Sequence, residues 1–158
     1  MKALFINGSW HNTAQATVTR SPSDRSDVIA EYASAGQAEV ELAITAAAEA
    51  ATSWRDSNVQ VRADALDKIG SEIAARKDEL GELLAREEGK TLPEAIGEVG
   101  RAAAIFKFYA QEALRIRGDK LASVRPGVDV DITREAVGVV GIIAPWNFPI
   151  AIPAWKVA

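Results

Sequence analysis

The apolar run from Val137 to Ala144 constrains the fold more than any other feature of the sequence. It consists of β-branched and small apolar residues without polar alternation, which is the pattern of a strand buried on both faces of a parallel sheet. Pro145 ends the strand because it has no N–H to donate to a ladder. The chain contains no second run of this kind, so we expect the parallel neighbours to come from sequence beyond Ala158.

The loop after this strand presents one polar side chain, that of Asn147. Pro149 favours an extended Phe148 and suits the first turn of a helix, so the loop has little conformational freedom. In open α/β sheets, ligands bind at loops that follow the carboxyl ends of strands. An amide donor on a stiff loop can stabilise an oxyanion in acyl transfer. Asn also tolerates turn conformations, and on the residues alone this structural interpretation is the favoured one.

Three segments carry a resemblance to a known family. The run Val137–Pro149, with Ala154-Trp155-Lys156 behind it, resembles the NAD(P)-dependent aldehyde dehydrogenase superfamily. Phe5–Trp10 looks like the family's opening hairpin, and Glu88–Ala95 looks like its "EGK…EA" helix junction. The resemblance covers essentially the whole chain, as the N-terminal part of a much longer family protein.

The resemblance implies an α/β fold. Residues 1–158 would form the N-terminal portion of an NAD(P)-binding domain, with the catalytic domain outside this chain. The portion would combine a helix-rich segment, the first strand of a Rossmann-like parallel sheet, and an oligomerisation strand near 126–135. A homo-oligomer, either dimer or tetramer, is expected. The dinucleotide site rests on the resemblance alone, since no G-x-G-x-x-G motif is present.

The implied activity is oxidation of a small-molecule aldehyde to its carboxylate, with NAD or NADP as hydride acceptor. The segment Asn147–Lys156 looks most like the α-ketoglutaric semialdehyde (2,5-dioxopentanoate) branch, and succinic semialdehyde is the closest rival. The thiol nucleophile and the glutamate base would lie beyond Ala158. Because the chain has no cysteine, we expect it to be inactive without the remainder of the enzyme.

The resemblance assigns roles residue by residue. Asn147 matches the oxyanion-hole asparagine, and Lys156 matches a lysine near the site that holds structure or relays protons. The positions that line the cofactor, largely through backbone and apolar contact, are Ile143, Ala144, Pro145, Trp146 and Asn147. The walls of the aldehyde tunnel are Phe148, Ile152 and Trp155. Ala136 departs from the pattern, because many relatives have proline there, but it puts no site residue in doubt.

Composition excludes several other classes of function. A net charge of −4 and a pI near 5.1 give no basic field for nucleic acid or for an anionic membrane. No secretory signal or bilayer-length apolar stretch is visible, so cytoplasmic residence is expected. One histidine and no cysteine leave no His-based or thiolate metal site. Asp129 and Asp131 alternate along a predicted strand, where a solvent face is a simpler interpretation than a pair of metal ligands.

The remaining pattern predicts short strands at the N-terminus and then helices. We expect a hairpin around Asn7-Gly8, loop over Thr13–Asp27, a strand over Val28–Ala33 and helices over Gln37–Arg117. Breaks are predicted near Asn58 and at Gly89, and a capping box at Thr91 starts a new helix. The apolar stripes are interpreted as core, including that of the first helix: Val40, Ile44, Ala47, Ala51 and Trp54. A helical assembly fragment without catalysis is the competing hypothesis.

Overall fold

Helices dominate the structure, a computed structural model that describes all residues 1–158. The helices are α1 (Gln37–Arg55), α2 (Val59–Ala75), α3 (Lys77–Glu88), α4 (Leu92–Glu112) and α5 (Ala151–Val157). The strands are β1 (Leu4–Ile6), β2 (Ser9–His11), β3 (Ala16–Arg20), β4 (Val28–Ala33), β5 (Asp119–Ala122) and β6 (Asp129–Ile132). They pair in sequence order as three separate two-stranded antiparallel sheets. None of the helices combines the length and the apolarity needed to cross a bilayer.

The N-terminal strands agree with the sequence in part. Asn7 and Gly8 both have positive φ, 51° and 74°, as the predicted type I′ hairpin turn requires. The prediction of loop over Thr13–Asp27 is wrong, because β3 lies within that range and pairs with β4. The alternating Thr and Val side chains of β3 favour a strand, and the surrounding Ser and Asp residues obscured that signal.

The helix boundaries follow local capping chemistry. Asn58 Oδ1 accepts a hydrogen bond from the Gln60 N–H at 2.9 Å and starts α2, while Gly89, with φ 85°, ends α3. The Thr91 capping box starts α4 as predicted. Helix α4 stops at Glu112 and tightens into a 3₁₀ turn over Ala113–Arg115, as helices often do at their C-termini. It therefore ends before the predicted limit at Arg117.

The core lies on α4, which packs against α2, α3 and α5. One group of buried residues joins α4 to α5: Ala102, Ile105, Phe106 and Ala154. A second joins α3 to α4: Leu84, Ala95 and Val99. Ile150, just before α5, packs against both groups. The end of the chain is therefore anchored to the same helix that organises the rest of the core.

The prediction that the apolar stripe of α1 belongs to the core is wrong for this chain. Helix α1 has no buried residue, and Val40, Ile44 and Trp54 remain 49%, 57% and 52% exposed. Apolar periodicity identifies a face that can be buried. The main packing contacts of the chain join α4 to α2, α3 and α5 and do not include α1, so its apolar side chains stay in contact with solvent.

The segment Val137–Ala144 forms no hydrogen-bonded strand. Val137 and Ile143 are 93% and 88% exposed, and Gly138 has φ 111°, which lies outside the β region. The sequence predicted that no partner for this run is present among these residues. Without a ladder, its apolar side chains have no sheet to join.

The hairpin formed by β5 and β6 confirms the strand predicted around 128–133. Leu121 lies opposite Val130 on one face. On the other face, Lys120 Nζ lies 3.5 Å from Asp129 and 3.8 Å from Asp131. The two aspartates therefore face a cation of the neighbouring strand. The apolar face of the hairpin is exposed, with Val130 at 39%.

Candidate functional site

The residues singled out in the sequence lie on one continuous segment, which ends in α5. The loop containing Asn147 is followed by a turn in which the Ile152 N–H donates to the Phe148 carbonyl at 3.1 Å and the Ala154 N–H donates to the Ile150 carbonyl at 3.1 Å. The new element therefore starts close to Pro149, as the sequence predicted. Ala151 and Ala154 are buried against the core, so α5 fixes the C-terminal end of the loop.

The side chain of Asn147 is exposed and makes no hydrogen bond within the chain, whereas its backbone carbonyl accepts one from Lys90 Nζ at 3.3 Å. Asn7 is the one non-glycine residue with positive φ. Asn147 thus adopts no left-handed conformation and forms no side-chain turn bond, so neither structural reason for an asparagine in a turn applies. Its amide is free to donate to a ligand.

Lys156 lies on α5 and reaches back across the loop. Its Nζ donates a hydrogen bond to the carbonyl of Ile143 at 2.6 Å. The contact links α5 to the residue before the loop, so the loop is held at its N-terminal end as well. Of the two roles that the resemblance gives to this lysine, the contact corresponds to holding structure.

The predicted cofactor-lining residues form an accessible surface. Ile143 and Trp146 are 88% and 80% exposed, Pro145 is exposed, and Ala144 is half-buried. Their apolar side chains do not pack into the core, although the loop's backbone is fixed from α5. A flat apolar ligand could therefore contact this surface without displacing core residues.

The predicted substrate-lining residues have different neighbours. The Trp155 ring meets the ring of Tyr109 on α4 edge to face, with centroids 5.8 Å apart. Lys90 Nζ lies 4.8 Å from the centroid of the half-exposed Phe148 ring. Ile152 is half-buried. The three residues lie on one stretch of chain, but the rings of Phe148 and Trp155 contact different partners.

A buried charged cluster lies directly beneath the loop. The Glu98 side chain on α4 is 2% exposed, and that of Lys90 is 12% exposed. Lys90 Nζ lies 2.5 Å from Glu98 Oε2 and 2.6 Å from Glu88 Oε2. Glu88 Oε2 is buried without a hydrogen bond, so its contact with Lys90 is an ion pair only. One cation is thus shared by two carboxylates.

Glu98 also binds the start of α5. Its Oε1 accepts hydrogen bonds from the N–H groups of Ile150 at 2.9 Å and Ala151 at 3.1 Å. Burial raises the pKa of Glu98, but the hydrogen bonds from Lys90 and from these two amides lower it, and the net pKa lies below its ordinary value. The carboxylate is therefore held in its charged form.

Sequence inspection gave no role to Lys90 or Glu98. Lys90 belongs to the junction that carries the family resemblance, but only the structure brings it to the loop, 57 residues further along the chain. Glu98 carried a signal that could have been used. It lies in the same stripe as the buried residues Ala95, Val99 and Ala102, and an acid at a core position is buried only when it has partners.

The fold and the loop are those of a family of enzymes. The model of the aldehyde dehydrogenase family matches residues 10–158, and the chain belongs to this family. It is 40% identical over 156 residues to an alpha-ketoglutarate semialdehyde dehydrogenase of Haloferax volcanii, covering 98% of this chain and 32% of that protein. An alpha-ketoglutaric semialdehyde dehydrogenase of Bacillus subtilis has the same identity and coverage. The chain thus spans about one third of the length of these relatives.

Solved structures agree with this assignment. An aldehyde dehydrogenase of Brucella melitensis biovar abortus superposes with a TM-score of 0.93 at 33% identity, covering 98% of this chain and 32% of that one. An NADP-dependent glyceraldehyde-3-phosphate dehydrogenase of Bacillus halodurans, complexed with NADP, gives a TM-score of 0.91 at 31% identity, with 97% and 33% coverage. The similarity extends through the helices and the loop, since nearly all of this chain is aligned.

Proposed function

We propose that this chain is the N-terminal portion of an NAD(P)-dependent aldehyde dehydrogenase that oxidises an aldehyde to its carboxylate. The observation that carries the proposal is the free amide of Asn147. It lies exposed on a loop whose backbone is held by Lys90 on one side and through Lys156 on the other. A donor that satisfies no group of its own chain, on a backbone fixed in place, has the properties of a preorganised oxyanion donor.

In this chemistry a thiolate attacks the aldehyde carbon, and the carbonyl oxygen becomes an alkoxide. The Asn147 amide would donate a hydrogen bond to that oxygen and stabilise its developing charge. Asn is suited to this role because its amide is neutral and has two donor protons. The thiol must come from elsewhere in the enzyme, because this chain has no cysteine.

The residues before Asn147 fit a nicotinamide dinucleotide. Ile143, Ala144, Pro145 and Trp146 would contact it through apolar surface and backbone. Ile143 and Trp146, the two most exposed of them, leave most of their surface open to a ligand. The Bacillus halodurans neighbour, complexed with NADP, supports this class of cofactor. When bound, the dinucleotide supplies the hydride acceptor.

We further propose that the substrate is a semialdehyde, with α-ketoglutaric semialdehyde first and succinic semialdehyde as the alternative. Support comes from the two relatives at 40% identity, both of which are alpha-ketoglutarate semialdehyde dehydrogenases by name. Phe148, Ile152 and Trp155 would form part of the wall against the aldehyde's carbon chain. Comparing kcat/KM for the two semialdehydes distinguishes the alternatives.

The role of Asn147 is tested in the full-length enzyme. We expect Asn147→Ala to lower kcat by about 10²–10³, the usual effect of removing one oxyanion donor, with the affinity for the cofactor nearly unchanged. Asn12→Ala is a matched control, because Asn12 is an exposed asparagine outside the loop. A loss confined to KM would contradict the oxyanion role.

The isolated 158-residue chain should produce no NAD(P)H, and production proportional to its concentration would contradict the need for an external thiol.

We also propose that the β5–β6 hairpin binds a neighbouring subunit in a homo-oligomer. One face of the hairpin carries Lys120, Asp129 and Asp131, while Leu121 and Val130 on the other face are exposed. A two-stranded hairpin with an uncovered apolar face is marginally stable by itself. Packing against a second subunit would bury this face.

A further inference from the structure

The buried carboxylate of Glu98 lies beneath the loop. Each of its hydrogen-bond donors either contacts Asn147 or belongs to the start of α5. Glu98 accepts hydrogen bonds from Lys90 and from the backbone amides of Ile150 and Ala151. A buried charge without partners is strongly unfavourable, so the carboxylate and these donors must stay together. The position of α4 thereby fixes the backbone three and four residues after Asn147.

The second member of the ion pair contacts the loop itself. Lys90 Nζ donates to the Asn147 carbonyl at 3.3 Å and lies 4.8 Å from the centroid of the Phe148 ring. One ammonium group thus connects Glu98, Glu88 and two consecutive loop residues. The carbonyl it binds belongs to the same residue whose amide is free to act on a ligand.

We infer that Lys90 and Glu98 form a clamp that positions the Asn147 amide, which makes both of them positioning residues for the reaction. The catalytic part of this inference rests on the proposed oxyanion role of Asn147. Lys90 holds the loop backbone at Asn147, and Glu98 holds the start of α5. Neither side chain has to touch the substrate.

Apolar packing alone does not account for this arrangement. Helix α5 has seven residues, too few to be stable without tertiary support, and its own N-cap residue makes no side-chain capping bond. Glu98 supplies that cap from another helix. Reaction rates are sensitive to displacements of about 1 Å in a reacting group, so loosening this cap should lower turnover before it unfolds the protein.

Hydrogen exchange on the 158-residue chain tests the structural half of the clamp. In Glu98→Ala, exchange of the Ile150 and Ala151 amides should accelerate about 10- to 100-fold, the factor for losing a hydrogen bond to a charged acceptor. Glu98→Gln keeps an oxygen for the two amides and should accelerate them less. Glu94→Gln is the matched control, because Glu94 lies on the same helix and bonds only Thr91. Unchanged exchange at both amides in Glu98→Ala overturns the clamp.

Steady-state kinetics of the full-length enzyme test the positioning half. Glu98→Gln and Lys90→Met should each lower kcat about tenfold or more, which is in the range for a displaced reacting group. The KM for the cofactor should not change in either variant. The control Glu94→Gln should react at the wild-type rate. Unaltered kcat in both variants overturns the positioning role. If Asn147→Ala itself retains wild-type kcat, the oxyanion role fails and positioning fails with it. The exchange experiment still decides whether the clamp holds the loop.

Discussion

Replacing Lys90 by Met tests whether burial, and not contact distance, sets the strength of an ion pair in this protein. Lys90 contacts two carboxylates at 2.5 and 2.6 Å, with 12% of its side chain exposed. Lys107 contacts Asp67 at 2.7 Å, but the exposed fractions are 39% and 57%. The distances are nearly equal, so Lys107→Met is a matched control for Lys90→Met.

The two substitutions should differ by about 3 kcal/mol in the free energy of unfolding. Removing Lys90 leaves Glu98 and Glu88 buried without a counter-ion, and breaking such a pair destabilises a protein by about 3–5 kcal/mol. Removing Lys107 leaves a carboxylate that water can solvate, and exposed pairs are worth about 0–1 kcal/mol. Urea unfolding followed by circular dichroism at 222 nm, a wavelength that reports about equally on all the helices, measures both values.

The double variant Lys90→Met/Glu98→Gln separates charge from packing. If the uncompensated charge causes the loss, neutralising Glu98 should restore a large part of it, while Gln still offers an oxygen to Ile150 and Ala151. A double variant no more stable than Lys90→Met would refute the electrostatic reasoning. Equal losses in Lys90→Met and Lys107→Met would refute the role of burial.

The pH dependence gives an independent check on the same variants. In the wild type the pKa of Glu98 lies below its ordinary value of 4.5, so its stabilisation is present above that value and is lost as the pH falls through the folded-state pKa. In Lys90→Met the effect of burial is no longer opposed by the lysine, and the Glu98 pKa should rise. A folded-state pKa that is lowered less contributes less stability above 4.5 than the wild-type carboxylate does. The difference between the two proteins should therefore narrow as the pH falls from 7 to 4.

Three further substitutions test packing and assembly. A Cβ on Gly81 would lie 2.5 Å from Ile96 Cγ1 and 3.0 Å from its Cα, so Gly81→Ala should destabilise the chain by about 1–3 kcal/mol. Gly97→Ala, where a Cβ meets nothing within 4 Å, should stabilise it by about 0.5–1 kcal/mol, and the opposite order in urea midpoints would contradict the helix contact. Val130→Asp in the full-length enzyme should lower the oligomer mass measured by light scattering, and an unchanged mass would exclude the hairpin face as the subunit contact.

Local signals in the sequence were sufficient for turns and helix ends. The Asn7-Gly8 turn, the break at Asn58, the stop at Gly89 and the start at Thr91 are all confirmed. Each depends on one or two residues and on backbone chemistry that the fold does not change. The strand β3 was missed because its pairing with β4 is a contact between segments, and its short Thr/Val alternation lay within a polar stretch.

Apolar patterns, by contrast, showed which surfaces need a partner without showing where the partner is. The α1 stripe and the Val137–Ala144 run are both apolar enough to be core, yet both are exposed in this chain. Helix α4 carries a stripe of the same kind, which is buried because α2, α3 and α5 surround it. The periodicity of apolar residues can be seen in one segment, whereas their burial depends on a second segment that packs against them.

The candidate site also combines a feature that local sequence indicates with contacts that depend on the packed fold. Asn147 was a candidate on the residues alone, although a turn role was then favoured, and the family resemblance assigned it the oxyanion role. The contacts that fix the loop in place could not be predicted. Lys90 and Glu98 bind groups that lie 57 and 52 residues further along the chain, and only the packed helices bring them together. Glu98 would be unfavourable at a core position of α4 if it served packing alone. Its burial is compensated by Lys90 and by the N–H groups of Ile150 and Ala151, and this links the stability of the core to the geometry of the site.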